Sequence, residues 1–214
     1  MNSLDDADAG GHGDVVVGDC EHSVSGAEPP RAGVGWVVRR ATVADAGAIG
    51  ALHVRAWRHS YRGIVPDHML ADLDSAHSAG RWREHLRLRR WSVFLALAQR
   101  GGRPALGAFC AVGPVDEPIG DRRGGRTGEL YALYADPRAL GRGAGPAAHG
   151  AGVTHLGAGG FHHLVLWVLT KNPRARAFYA KQGWRCDELT AREWHHGLPL
   201  PVVRYSRSVP ADPR

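Results

Sequence analysis

Residues 135–148, ADPRALGRGAGPAA, constrain this chain more than any other stretch. Gly141, Gly143 and Gly145 fall within five residues, and Pro146 follows at once. Upstream lies GELYALYA (128–135), whose aromatic and branched residues predict a strand. Downstream, residues up to about Gly159 can form a helix. Strand, glycines, helix start is the physical recipe for an anion site. The first helical turn leaves about four backbone N–H groups unpaired. The helix dipole adds roughly half a positive charge there, and glycines allow close approach of a phosphate. From the glycines alone a plain loop remains an equal reading. Two phosphate motifs fail on spacing: no Lys-Ser/Thr pair follows, as GxxxxGK[ST] requires, and GxGxG is not GxGxxG followed by an acid about 20 residues on.

Around this stretch the hydrophobic pattern predicts alternating elements. Trp36–Ala41 reads as a strand. Thr42 and Asp45 are spaced as a capping box. Ile49, Leu52, His53, Ala56 and Trp57 recur at helical spacing. A second helix is expected in DSAHSAGRWREHLRLR, after the breakers Gly63 and Pro66. WSVFLALA and ALGAFCAVGPV are joined by the short turn QRGGRP, so they should pair antiparallel. A charged loop, DEPIGDRRGGRT, leads to GELYALYA. After the glycine stretch come a buried strand, HLVLWVL, a helix in NPRARAFYAKQG that stops at Gly183, and a closing pair, WRCDEL and LPVVRYSRS. This order indicates an α/β domain with a mixed sheet.

Composition narrows the function classes. The chain has 214 residues and a net charge of +6. Seven acids and one arginine occupy residues 1–34, so the remainder is strongly basic. Residues 1–34 lack hydrophobic periodicity and are expected to be a disordered acidic tail; the folded domain should span 35–208, with 209–214 as a C-terminal tail. The basic residues form no sustained run with interleaved aromatics, so nucleic acid is not the expected partner. No apolar run is long enough for a membrane span, and no secretory pattern opens the chain; a cytoplasmic protein is expected. Cys20, Cys110 and Cys186 are far apart with no CxxC pair, so neither a zinc site nor a disulfide framework is expected. His162–His163 and His195–His196 are adjacent pairs without ligand spacing, and no metal is assigned.

GELYALYADPRALGRGAGPA followed by LWVLTKNPRARAFYAKQGW resembles the GNAT superfamily of acetyl-CoA-dependent N-acetyltransferases. That family's phosphate motif, Gln/Arg-x-x-Gly-x-Gly/Ala, falls here on Leu140 to Gly145. Its later motif, Asn followed by a helix ending Phe-Tyr-x-x-x-Gly-Phe/Trp, falls on Asn172, Phe178, Tyr179, Gly183 and Trp184. AWRHSYRGIVPDHMLADL resembles the first-helix region of a large bacterial branch. The likeness covers about residues 36–207.

The resemblance implies a mixed sheet of about six to seven strands, antiparallel in its N-terminal part, splayed at the acetyl-CoA site and flanked by about four helices. It implies that Gly141, Arg142, Gly143, Ala144 and Gly145 hold the pyrophosphate of acetyl-CoA, with Leu140 and Pro146 at the edges of the cradle. Leu133, Tyr134 and Ala135 would pair with the pantetheine arm, and Asn172 would contact the cofactor, cap the next helix, or do both. Glu129 occupies the general-base position of the histone-acetylating branch, and Tyr179 that of the general acid. Tyr131 and Tyr134 are candidates for the amine channel. The acceptor is expected to be a small-molecule or peptide amine, and a homodimer is compatible with the family. Leu140 departs from the expected polar residue, Pro146 lacks an N–H, and Gly150, Gly152 and Gly157 weaken the following helix. These departures motivate the alternative of an acyl-CoA-binding domain without strong catalysis.

Overall fold

The computed structural model describes residues 16–17, 35–100, 103–115, 126–195 and 198–209. The expected tail at 1–34 lies outside these residues except for Val16–Val17, as do most of the charged loop (116–125) and most of the C-terminal tail. The elements run β1 (Val16–Val17), β2 (Trp36–Arg40), α1 (Ala46–Ser60), α2 (Asp67–Ala71), α3 (Ser75–Leu88), β3 (Ser92–Arg100), β4 (Arg103–Pro114), β5 (Arg126–Ala135), α4 (Ala144–Ala158), β6 (Phe161–Leu169), α5 (Pro173–Lys181), β7 (Arg185–His195) and β8 (Leu198–Ser208). Short 3-10 turns at Val43–Asp45 and Pro137–Ala139 precede α1 and α4. Each strand and helix expected between residues 36 and 208 is present. The helix not anticipated is α2, a single turn beginning after Pro66.

All strands join one sheet in the order β1-β7-β8-β6-β5-β4-β3-β2. Among the described strands only β5 and β6 pair parallel, because α4 carries the chain back across the sheet between them. Hairpin connections make β3–β4 and β7–β8 antiparallel, as their short turns require. Alternation along the strands supplies two apolar faces. One face buries Ala108, Cys110, Leu130 and Leu164 under α4, Tyr179 and Trp184. The other buries Phe109 and Leu95 under Ile49 and Leu52 of α1 and Trp82 of α3.

Two side chains answer questions raised by the sequence. Gly152, a poor helix former, faces β4: a Cβ there would lie 2.9 Å from both Cys110 Sγ and Val112 Cγ1. The glycine is what lets α4 lie close on the sheet. Asp45 accepts a 2.8 Å hydrogen bond from the Thr42 N–H, as a capping acid does, and also takes a bidentate grip from Arg39 at 2.8 and 2.7 Å. Cys110 is a fully buried core residue, and burial pushes its thiol pKa well up.

Candidate functional site

The parallel pair β5–β6 is incomplete. Its register runs from Arg126↔Phe161 to Glu129↔Val165 and stops. Yet β5 stays paired with β4 as far as Ala135, and β6 stays paired with β8 as far as Leu169. Between Leu130–Ala135 and Leu166–Leu169 the two strands therefore diverge, and β5 turns an edge of backbone N–H and C=O groups toward a gap. Such an edge can take an extended partner by strand addition. A register shift in the β4–β5 ladder at Ala111/Val112 gives β5 one extra residue, Tyr131, just past the last paired position.

The far end of the β5 arm opens into the glycine stretch. Asp136 ends the arm: its N–H donates to Gly107 O at 2.8 Å, and its carboxylate accepts from the Arg138 N–H at 2.9 Å. Gly141 and Gly143 have φ of 73° and 88°, the left-handed region that favours glycine. Gly143 is the N-cap of α4, with no side-chain cap. The first backbone bond of the helix is Ala147 N–H to Gly143 O, at 3.1 Å. The N–H groups of Gly143, Ala144 and Gly145 precede the helical ladder, and those of Gly143 and Gly145, on residues that are not buried, are available to an anion. Pro146 sits in this first turn and withholds one donor. Ala144 is wholly buried, while the side chains of Arg142 and Arg138 are exposed. Leu140 is half-buried and brings no polar group.

The candidate chemical groups flank the gap. Glu129 is at the last paired position of β5 and is 4% exposed. Its neighbours Gly128 and Leu130 face α4, so strand alternation turns Glu129 to the α1 side. Tyr179, on α5, belongs to the cluster that also packs Leu133 and Ala135 of the β5 arm. Burial, reinforced by Cys110 and Tyr134, pushes its phenol pKa up, so it stays protonated through the physiological range. Asn172 caps α5: its Oδ1 accepts from the Ala175 N–H at 3.1 Å. The structure therefore realises the capping half of the two readings of Asn172. Tyr131 stacks on Trp91 at 4.8 Å and donates to Pro114 O. Tyr134 meets Phe109 at 5.6 Å and His53 at 4.7 Å.

The α1 side of the gap is aromatic. Tyr134 from the β5 arm and Trp167 from β6 both pack on one cluster with Trp57 of α1, Tyr61 just past its end, and Leu200 of β8. Three features here were not evident from sequence. His53 Nδ1 accepts from the Trp82 indole N–H at 3.3 Å and lies 3.1 Å from Ser78 Oγ. Arg55 of α1 holds Asp136. Trp36 of β2 reaches the Arg142 carbonyl. Helical periodicity marks His53 only as a core-facing position, and no local pattern announces the other two contacts.

Comparison with known proteins bears on the family and the fold. The sequence model of the acetyltransferase (GNAT) family matches residues 52–184, more than half of the chain. The chain is 32% identical over 136 residues to the uncharacterized N-acetyltransferase YuaI of Bacillus subtilis, covering 64% of this chain and 73% of that protein. It is 29% identical over 186 residues to the probable N-acetyltransferase Rv2775 of Mycobacterium tuberculosis, covering 81% and 95%. A solved structure, yncA, a putative acetyltransferase from Salmonella typhimurium with its cofactor acetyl-CoA, shares the fold with a TM-score of 0.58 at 18% identity, over 81% of this chain and 93% of that one.

Proposed function

The chain belongs to the acetyltransferase (GNAT) family, and from that premise we propose that it transfers the acetyl group of acetyl-CoA to a primary amine by direct attack in a ternary complex. The observation that carries this reading is the β5–β6 gap, closed at Glu129↔Val165 and opening onto the glycine cradle. The site fits the co-substrate. Backbone donors at the start of α4, Gly143 and Gly145, would hold its pyrophosphate, and the edge of Leu133–Ala135 would pair with its amide-bearing arm. Acetyl-CoA supplies an activated thioester carbonyl.

The protein's own groups manage the protons. An amine attacks only when neutral, so a base must take its proton, directly or through water. Glu129, buried at the root of the gap, is assigned that role. The departing thiolate needs a proton, and Tyr179, whose phenol stays protonated, is assigned to give it. Glu129 and Tyr179 lie on different faces of β5, on the α1 side and in the cluster under α4 respectively. The aromatic wall of Trp57, Tyr61, Tyr134 and Trp167 would border the incoming amine. No residue here specifies a particular acceptor, so the amine is assigned only as primary.

Incubation with acetyl-CoA and a panel of aliphatic, aromatic and peptide amines tests the reading. The expected result is release of free thiol with matching acetylated product by mass. Intact CoA binding with no turnover across the panel would replace it with the acyl-CoA-binding alternative.

A further inference from the structure

Trp36 opens β2 at the edge of the sheet, 106 residues before the cradle, and its indole Nε1–H donates to the Arg142 carbonyl at 2.6 Å. The ring crosses Gly107 of β4. A Cβ on Gly107 would fall 2.2 and 2.3 Å from two carbons of the indole, so only glycine leaves room for it. The same ring passes 3.6 Å from where a Cβ of Gly143 would stand. Gly107 also accepts the Asp136 N–H at 2.8 Å. One residue of β4 thus anchors the end of β5 through its carbonyl and seats the tryptophan through its missing side chain.

The consequence follows from peptide geometry. In a trans peptide the C=O of one residue and the N–H of the next point in opposite directions. Drawing the Arg142 carbonyl toward Trp36, at the sheet, turns the Gly143 N–H outward, at the open end of the α4 ladder. Gly143 lies at φ 88° and places no Cβ in the way of a rotation of this peptide. Without a partner for the carbonyl, the unit could flip and present an oxygen to an anion.

We propose that Trp36 is a positioning residue for the anion cradle: its indole N–H locks the Arg142–Gly143 peptide so that the Gly143 N–H faces the pyrophosphate of the bound co-substrate. This rests on the acetyl-CoA reading above. It makes Trp36 act through backbone it touches, without itself contacting the ligand.

The test separates the nucleotide half of the co-substrate, which carries the pyrophosphate, from its pantetheine arm. Trp36→Phe keeps an aromatic ring over Gly107 and removes the donor. Incorporating benzothienylalanine at position 36, an indole isostere with sulfur in place of N–H, does the same with the ring shape preserved. CoA and pantetheine, which lacks the pyrophosphate, are titrated against each form by calorimetry, and KM for acetyl-CoA is measured beside kcat. Both variants should bind CoA about tenfold more weakly, the scale of one hydrogen bond to a charged group. Pantetheine binding and kcat should be unchanged, and KM for acetyl-CoA should rise. Equal CoA affinity in wild type and variants would overturn the inference alone, and so would an equal loss for CoA and pantetheine. A wild-type protein that does not bind CoA would overturn the acetyl-CoA reading and this inference together.

Discussion

Arg55, in the middle of α1, holds Asp136, the residue that ends the β5 arm, through hydrogen bonds of 3.0 and 2.7 Å to a single carboxylate oxygen. The contact joins α1, which flanks the gap, to the turn that begins the glycine stretch. Burial acts to raise the Asp136 carboxyl pKa, but the Arg138 N–H and the Arg55 guanidinium outweigh it and hold the group below the usual carboxylate range. Asp136 is nearly buried while Arg55 is 41% exposed, so solvent screens part of the pair. Arg55→Ala should destabilise the fold by about 1–2 kcal/mol, mostly by stranding the carboxylate. Chemical denaturation measures it; an unchanged midpoint would mean that water replaces the guanidinium without loss.

A second long-range pair predicts acid sensitivity. Trp184 donates its indole N–H to Nε2 of His149 at 2.9 Å, deep under α4. Burial, with Arg207 adding to it, lowers the His149 pKa to about 4. The unfolded chain, with an ordinary histidine near 6.5, then binds more protons than the folded one between those values. The contribution of His149 to stability is therefore complete above about pH 6.5 and is lost as pH falls toward 4, by about 2–3 kcal/mol. His149→Gln should flatten the acid limb of a Tm-against-pH curve over that interval. An acid limb of the same slope in the variant would assign the effect to other groups.

Two glycines of α4 should respond oppositely to alanine. Gly150 has open space where a Cβ would go, whereas Gly152 has Cys110 and Val112 at 2.9 Å. Gly150→Ala should raise stability by about 0.5–1 kcal/mol through helix propensity. Gly152→Ala should lower it by about 1–3 kcal/mol through overpacking. Thermal melts of the two variants decide the point, and a gain in both would show that α4 can move off the sheet freely.

Glu129→Gln retains size and hydrogen bonding and removes the base. We expect kcat to fall by about 10²–10⁴-fold, with CoA affinity within error of wild type. Raising the pH should recover part of the rate, because more of the amine is then neutral without help. A variant as fast as wild type at neutral pH would leave the carboxylate a buried structural group.

Tyr179→Phe removes the proposed acid while keeping the ring that packs with Phe178, Trp184 and Tyr205. The expected result is a loss of kcat of about 10²-fold or more with KM for acetyl-CoA little altered. The melting temperature should stay near that of wild type. Parallel losses of stability and rate would point to packing as the role of this tyrosine.

The relation between sequence and structure differs from element to element. The helix of Ile49, Leu52, Ala56 and Trp57 was legible because burial imposes a 3.6-residue period on neighbours in the chain. The cap on α5 was legible because Asn172 and Ala175 are three residues apart. The single turn α2 was not, since five residues are too few to show a period. The glycines of α4 were misleading when read locally. Propensity counts Gly152 as a defect, whereas the approach of Cys110 makes it a requirement.

The local geometry of the glycine turn before α4 belongs to what the sequence alone determined. Positive φ at Gly141 and Gly143, and unpaired N–H groups at the start of α4, depend on a few consecutive residues and on the absence of side chains among them. The divergence of β5 from β6, the lock of Trp36 on Arg142, the grip of Arg55 on Asp136 and the His149–Trp184 bond were decided only by the tertiary structure. Each joins groups separated by tens of residues. Such contacts form when sheet register and helix packing bring distant side chains within about 3 Å of each other, at hydrogen-bonding distance, and no local spacing encodes that approach.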